Sequence, residues 1–346
     1  MKEIGSEFSA ELLKQAHTDL CWIPKHSDIV MTFSGRTAIE TALRNIPQKK
    51  KALLPAWCCS SIVEPFLNQG MKVSFYPVEI AEEGVQIELQ IPEDCDVVLL
   101  CRYFGFVTEY PKDRIIDFQK RGGIVIEDIT HSLLSYKHSW EHSDYLVASL
   151  RKWGAVLDGG FCSSRKFMAE KPNKEPEQMF LEKKQQAMEL KAAYLQKEIH
   201  DKATYLTLYG QSNELLAEQY ADRRMSNKSL DVLKAWDASQ MREIRCQNAL
   251  VLYKGLENIS GVNPLFPKEK MDCPLFVPIM VEGNRRDALR QYLIEQEIYC
   301  PVHWPVPEGA QSQIYDRELS LVCDQRYSIA DMERILTCIR DFMKRN

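Results

Sequence analysis

Lys152 lies in the segment Ser149-Leu150-Arg151-Lys152-Trp153-Gly154-Ala155-Val156-Leu157-Asp158-Gly159-Gly160, 24 residues after Asp128. Asp128 closes the apolar, β-branched run Gly123-Ile124-Val125-Ile126-Glu127-Asp128, which reads as a strand ending in a carboxylate. A primary amine forms a Schiff base with an aldehyde, and a carboxylate keeps a pyridine nitrogen protonated and electron-withdrawing. The pair therefore has the chemistry that pyridoxal phosphate requires. Taken singly, each residue has a plainer reading: Asp128 as the cap of a following helix, Lys152 beside Arg151 as a solvated surface charge. Phe33-Ser34-Gly35-Arg36-Thr37-Ala38 adds small and hydroxyl residues at the start of a helical pattern. Free N–H groups and the positive end of the helix dipole there favour a phosphate, although Ser-Gly before a helix also serves as an ordinary cap. The ordered set assigns a partner to each part of one cofactor: residues 34 to 37 to the phosphate, Asp128 to the ring nitrogen and Lys152 to the aldehyde. His131 and Ser149 stand beside them.

Short β-rich runs at 51–54, 72–77, 96–101, 123–128, 145–149 and 160–163 alternate with amphipathic stretches, the pattern of an α/β fold with a mostly parallel sheet flanked by helices. Between the runs, residues 36–44 read as a helix, with Ala38, Ile39, Ala42 and Leu43 on one face. Ligands of such sheets lie beyond the carboxyl ends of the strands, where Asp128 and Ser149 are expected. From 166 to 256 Lys, Glu, Gln, Ala and Leu dominate, predicting a helical crossover with one long helix over 177–203 and another over 239–256. The remaining residues predict a strand over 274–281 and helices over 285–297 and 328–344, a small α+β unit.

The 346 residues are 45% hydrophobic and 27% charged, with a net charge of -5. That balance offers no basic footprint for nucleic acid or an anionic membrane. No apolar run approaches the roughly 20 residues that span a bilayer, and Met1 to Glu7 lacks an apolar signal core, so a cytoplasmic protein is expected. The eleven cysteines are odd in number and scattered, which favours reduced core residues. Cys58-Cys59 has no second His/Cys pair at ligand spacing, so no metal site is expected.

With these residues in place, the chain resembles the DegT/DnrJ/StrS family of sugar aminotransferases, enzymes of the fold type I pyridoxal phosphate architecture. Ser34-Gly35-Arg36-Thr37-Ala38 is similar to the family's Ser-Gly-Thr-Ala start, Leu54-Pro55-Ala56-Trp57-Cys58-Cys59 to its strand-end proline segment, and Tyr103-Phe104-Gly105 to its Leu-Tyr-Gly. Glu127-Asp128-Ile129-Thr130-His131 resembles the Glu-Asp-x-x-Gln/His motif, and the interval from Lys152 to Gly159-Gly160 equals the family's interval from its Schiff-base lysine to Gly-Gly. Arg224-Met225-Ser226 and Ile298-Tyr299-Cys300-Pro301-Val302-His303-Trp304 are similar to two later motifs, so the resemblance runs along nearly the whole chain.

The resemblance implies a large domain over 1–256, with an N-terminal helix and the helical crossover, and a small α+β domain over 257–346. It implies pyridoxal 5'-phosphate as cofactor, Lys152 and Asp128 as catalytic residues, and Ser34, Gly35, Arg36, Thr37, Trp57, Cys59, His131, Ser149 and Arg224 around the cofactor. Trp57 or Cys59 would lie against its ring, and His303 and Trp304 would touch the substrate. The implied reaction moves an amino group from an amino acid, L-glutamate, to a nucleotide-linked keto-sugar in polysaccharide or secondary-metabolite sugar biosynthesis, in a homodimer with shared active sites. The chain departs from the pattern at Asp222, where the family has an asparagine given to a neighbouring subunit's phosphate, and at Pro305-Val306-Pro307, where it has a second histidine. A regulatory protein that binds the cofactor without turnover, and other fold type I reactions such as dehydration or decarboxylation, stay open on these residues.

Overall fold

Every strand that the sequence pattern predicts before residue 165 enters one seven-stranded sheet in the computed structural model of the chain, which describes residues 3–10, 20–136 and 141–345. The N-terminal part contains β1 (Ile4–Gly5), β2 (Asp28–Thr32), α1 (Gly35–Arg44), β3 (Lys51–Pro55), α2 (Ser60–Asn68), β4 (Lys72–Tyr76), the hairpin β5 (Val78–Ala81) and β6 (Gly84–Ile87), β7 (Val97–Cys101), α3 (Lys112–Lys120), β8 (Ile124–Asp128), β9 (Tyr145–Ser149) and β10 (Gly160–Ser164). The strand order is β2-β10-β9-β8-β7-β3-β4. All pairings are parallel except those of β10, which runs antiparallel to both neighbours. Because β10 reverses twice, β2 ends on the same edge of the sheet as β9, β8, β7, β3 and β4. That edge carries the site.

The local reasons are visible in the sequence. Ser34 has extended backbone (φ -156°), and its side chain accepts the Thr37 N–H at 3.2 Å, which starts α1 at Gly35. Strand β7 is buried along its whole length and β8 along all but its first residue, as expected of central strands covered on both faces.

Beyond the sheet come α4 (Gln178–Leu195), α5 (Ala203–Glu218), α6 (Asn227–Lys234) and α7 (Ala238–Leu256). The single helix expected over 177–203 is two helices. The chain leaves α4 through Lys197 at φ 63°, and the Asp201 carboxylate takes the Ala203 N–H at 2.9 Å to start α5. Residues 196–202 hold no proline or glycine, so the stop gives no composition signal. No helix precedes α1 among the described residues; the rest of the segment in which an N-terminal helix is expected, residues 11–19, lies outside them.

The C-terminal part has β11 (Val262–Pro264), β12 (Phe276–Val281), α8 (Arg286–Glu295), β13 (Ile298–Tyr299), β14 (Glu318–Val322) and α9 (Ile329–Arg345). Its antiparallel sheet runs β11-β12-β14, while β13 pairs in parallel with β1 near the N-terminus, Ile4 opposite Ile298. One apolar cluster joins Leu54 of β3 and Leu99 of β7 to Val277 of β12 and Ile335 of α9. No described helix is long and apolar enough to cross a membrane.

Candidate active site

At the carboxyl edge of the large sheet a cavity of about 110 Å3 is lined by Ser34, Gly35, Cys59, Asp128, His131 and Lys152. Arg36, Ser149, Arg151, Tyr103 and Trp304 complete much of its wall. Each arrives from a strand end: Ser34 after β2, Cys59 after β3, Tyr103 after β7, Asp128 on β8, and Ser149 and Lys152 after β9. Register brings the strand ends level, with Cys101 opposite Asp128 and Thr32 and Ser149 both opposite Gly160.

Gly35 and Gly160 let these backbones meet. A Cβ on Gly35 would stand 3.1 Å from Ser149 Cβ, and one on Gly160 would stand 2.6 Å from the Ser34 carbonyl. The Lys152 loop is closed by the Leu150 N–H on the Gly159 carbonyl at 3.0 Å and anchored by the Gly159 N–H on the Phe33 carbonyl at 2.8 Å. Asp158, fully buried, accepts the Ser226 N–H at 2.7 Å and the hydroxyls of Ser226 and Ser229, each at 2.5 Å. The Lys-to-Gly-Gly segment and the Arg224-Met225-Ser226 motif are thereby one structural unit.

Asp128 is 7% exposed and accepts the Thr130 N–H at 2.8 Å, while the Thr130 hydroxyl accepts the Ser149 N–H at 2.9 Å. Burial raises its carboxyl above the usual range, and Thr130 and Lys152 offset part of the rise. Lys152 Nζ lies 3.1 Å from His131 Nε2. Burial lowers the lysine below its ordinary range, although Cys59 and Asp128 pull the other way. An amine so placed is more available in its neutral, nucleophilic form. His131 is 4% exposed, and its Nδ1 is buried without a partner. Burial, followed by Lys152 and His303, holds its imidazole well below the ordinary 6.5, so it is neutral.

These groups match the donors and acceptors of pyridoxal phosphate: a helix start with Ser34 and Ser149 for phosphate, a buried carboxylate for a pyridinium, an unpartnered histidine nitrogen for a phenolic oxygen, and a desolvated amine for an aldehyde. The residues fit the group.

The other expected residues fall in different places. Thr37 is buried one turn into α1, bonded to Ser34 and to the Tyr220 carbonyl at 2.8 Å, and it supports the cap from behind. Trp57 does not line the cavity. It is 1% exposed, stacks on Tyr103 at 4.8 Å between centroids, and donates its indole N–H to the His303 carbonyl at 2.9 Å. The aromatic ring on the cavity wall near the amine is Trp304, with Lys152 Nζ 5.9 Å from its centre. Arg224 also lies off the cavity, half-exposed and paired with Glu175. Asp222 does not line the cavity and pairs with Arg44 at 2.5 Å, which, against the opposing effect of burial, lowers its carboxyl. His303 Nδ1 lies 2.9 Å from the Ser320 hydroxyl, which donates to Glu318 at 2.5 Å, and Glu318 also accepts the His303 N–H at 2.6 Å. The sequence reading passed over Thr130, Glu318 and Ser320. Thr130 sits inside the Asp-to-His motif and could have been found there, whereas nothing local marks the other two.

No protein-family model matches the sequence, and no curated protein matches it. Solved structures do. PseC of Helicobacter pylori, an aminotransferase involved in the biosynthesis of pseudoaminic acid, superposes at TM-score 0.67 with 13% identity, covering 100% of both chains. DesV of S. venezuelae, solved with a ketimine intermediate, superposes at 0.65 with 16% identity over 93% of this chain and 86% of its own. Spr1654 of Streptococcus pneumoniae, described as a candidate sugar aminotransferase and solved in its PMP form, superposes at 0.64 with 14% identity over 92% and 87%. The chain therefore has the fold of these aminotransferases, the fold type I architecture that the sequence resemblance implies.

Proposed function

We propose that the protein is a pyridoxal phosphate-dependent aminotransferase that takes an amino group from an amino acid, L-glutamate, and gives it to a keto-sugar, nucleotide-linked, in polysaccharide or secondary-metabolite sugar biosynthesis. One observation carries the reading: Lys152, Asp128 and His131 meet in one cavity at the strand ends, beside the capped start of α1. Structural neighbours that are described as aminotransferases support it at the level of reaction class.

The cofactor, when bound, supplies an aldehyde that joins an amine and a pyridinium ring that delocalises electrons released at the donor's α-carbon. Ser34, Gly35 and Ser149 would hold its phosphate, Asp128 its ring nitrogen, His131 its phenolic oxygen and Lys152 its aldehyde. The chain's own groups then divide the work. Asp128 holds a proton on the ring nitrogen. Lys152 Nζ, positioned by His131 Nε2, takes a proton from the donor α-carbon and later returns one to the acceptor carbon. Phe104 and Trp304, whose rings lie 4.7 and 5.2 Å from that of His131, pack around the imidazole and keep it from water. We take residues 1–256 as the cofactor domain and 257–346 as the small domain, the protein as cytoplasmic, and the active unit as a homodimer.

Mixing the cofactor-loaded protein with L-glutamate tests the reaction. Release of one equivalent of 2-oxoglutarate per site is expected, and its absence would leave a regulatory binding role. Borohydride fixation followed by peptide mass analysis should place the pyridoxyl group on Lys152, and Lys152→Ala should abolish it. Fixation on another residue would overturn the assignment.

A further inference from the structure

Cys246 on α7 and Cys273 in the segment before β12 meet side by side, and neither lines the cavity around Lys152. Cys246 Sγ lies 3.2 Å from the carbonyl of Asp272, the residue before Cys273, and the two thiols share a hydrogen bond. One turn earlier on α7, Arg242 pairs with Asp272 at 2.7 Å and docks the helix on this segment. Arg245, beside Cys246, donates to the Pro274 and Leu275 carbonyls at 3.4 and 3.2 Å. The segment is also pinned by the Cys273 N–H on the Gly105 carbonyl at 3.1 Å and by the Leu275 N–H on the Phe104 carbonyl at 2.9 Å. A Cβ on Gly105 would stand 1.7 Å from the Cys273 carbonyl, so the segment has no room to move toward Gly105.

The two thiols differ in access and in acidity. Cys246 is half-buried and open to solvent on one side, whereas Cys273 is fully buried. The hydrogen bond from Cys273, opposed by burial and Asp272 and helped by Arg242 and Arg245, brings the Cys246 thiol down to about 7. Burial, followed by the same bond, pushes Cys273 well above the ordinary thiol range. Cys58, Cys101 and Cys162 are pushed up by burial, as core thiols are. A partly exposed thiol that ionises near neutral pH is a nucleophile, and a protonated thiol touching it can resolve its oxidised form.

We propose that Cys246 and Cys273 form a reversible oxidation site for hydrogen peroxide, with Cys246 as the attacking thiolate and Cys273 as the resolving thiol. Cys246 Sγ takes one oxygen of the peroxide, the O–O bond breaks, and the other oxygen leaves as water with the thiol's proton. Cys273 Sγ then attacks Cys246 Sγ, the S–O bond of the sulfenic acid breaks, and a second water leaves. Two thiols and one peroxide thus give one disulfide and two waters, the sulfurs losing the two electrons that the peroxide gains, and a dithiol reductant reverses the step. The bond joins α7 to the segment that holds the Phe104 backbone. Arg245 of the same helix also donates to the carbonyl of Trp153, the chain neighbour of Lys152, at 3.3 Å. The site stands on the two thiols and is independent of the aminotransferase reading.

The test uses the reduced full chain, freed of reductant, treated with one equivalent of hydrogen peroxide at about pH 7, blocked with N-ethylmaleimide and digested without reduction. A peptide linked through Cys246 and Cys273, and removed by dithiothreitol, is expected. Cys246 should lose its free thiol at least about threefold faster than exposed Cys21, the net of a larger thiolate fraction and a weaker nucleophile. Cys273→Ser should leave Cys246 as a sulfenic acid that dimedone traps, and Cys246→Ser should leave Cys273 unmodified. Equal rates at Cys246 and Cys21, or linkage of Cys246 to a cysteine other than Cys273, would overturn the proposal. So would dimedone capture at Cys246 of the wild type with no linked peptide, which removes Cys273 as the resolving thiol. The wild-type measurement decides the matter even where a variant fails to fold.

Discussion

Asp128 is buried and Lys152 half-buried, and burial works against the charged form of each. A carboxylate with one backbone donor, at a site where burial disfavours its charge, gains most from a permanent cation such as a pyridinium. Asp128→Asn should therefore fold with unchanged far-UV circular dichroism yet slow the glutamate half-reaction by about 10²-fold or more in single-turnover measurements, the scale of a lost proton-holding group. An unchanged rate would remove Asp128 from the ring nitrogen. These two residues, with His131 and the Ser34-Gly35 pair, are legible in the sequence because each sits in a short motif whose spacing is local. The glutamate that orients His303 is not, since Glu318 lies 15 residues further on, on β14, which is held to the His303 segment by the Ser320 N–H on the Pro301 carbonyl at 2.9 Å. Trp57 shows the limit at the same scale: two residues from Cys59, it faces the core because the turn into α2 presents Cys59, not Trp57, to the cavity.

The start of α1 is the element on which most of the site depends, and Gly160 sets its distance from the sheet. A methyl group there would meet the Ser34 carbonyl at 2.6 Å and the Ala148 carbonyl at 2.7 Å, both backbone atoms that cannot rotate away. Gly160→Ala should cost about 1–3 kcal/mol in urea denaturation and weaken pyridoxal phosphate binding as well. Ser34→Ala, which removes only the cap, should cost about 1 kcal/mol. Comparing the two separates crowding of the helix start from loss of its hydroxyl. The element pattern was readable where hydrophobic period decides, as in α1, β7 and β8. It failed at residues 196–202, where helix-forming residues run through the break and the turn is made by Lys197 in a left-handed conformation and by the Asp201 cap.

For the whole molecule, several histidines are held neutral by burial. His26 is brought down to about 4 by burial and then Arg165, with Asp144 opposing; His131 and His303 are lowered as well. A folded state that resists a proton which the unfolded chain accepts near 6.5 is fully favoured above that pH and loses the contribution as pH falls toward the folded value. His26→Asn, remote from the site, should flatten the fall of the urea midpoint between pH 6.5 and 4 relative to wild type; a parallel curve would show that His26 does not titrate with folding. Light scattering should give the mass of a dimer, and a monodisperse monomer with full activity would contradict the shared site.

The pairing of Ile4 with Ile298 has a consequence in time. At ribosomal rates of about 5–20 residues per second, β1 waits on the order of tens of seconds for β13 to emerge. Gly5 to Phe8, which line the cavity of about 530 Å3 beside Arg151 and Lys152, therefore cannot settle until β13 exists. A nascent chain halted in the helical crossover could fold much of its large sheet, yet that cavity would lack the wall that residues 275–326 supply.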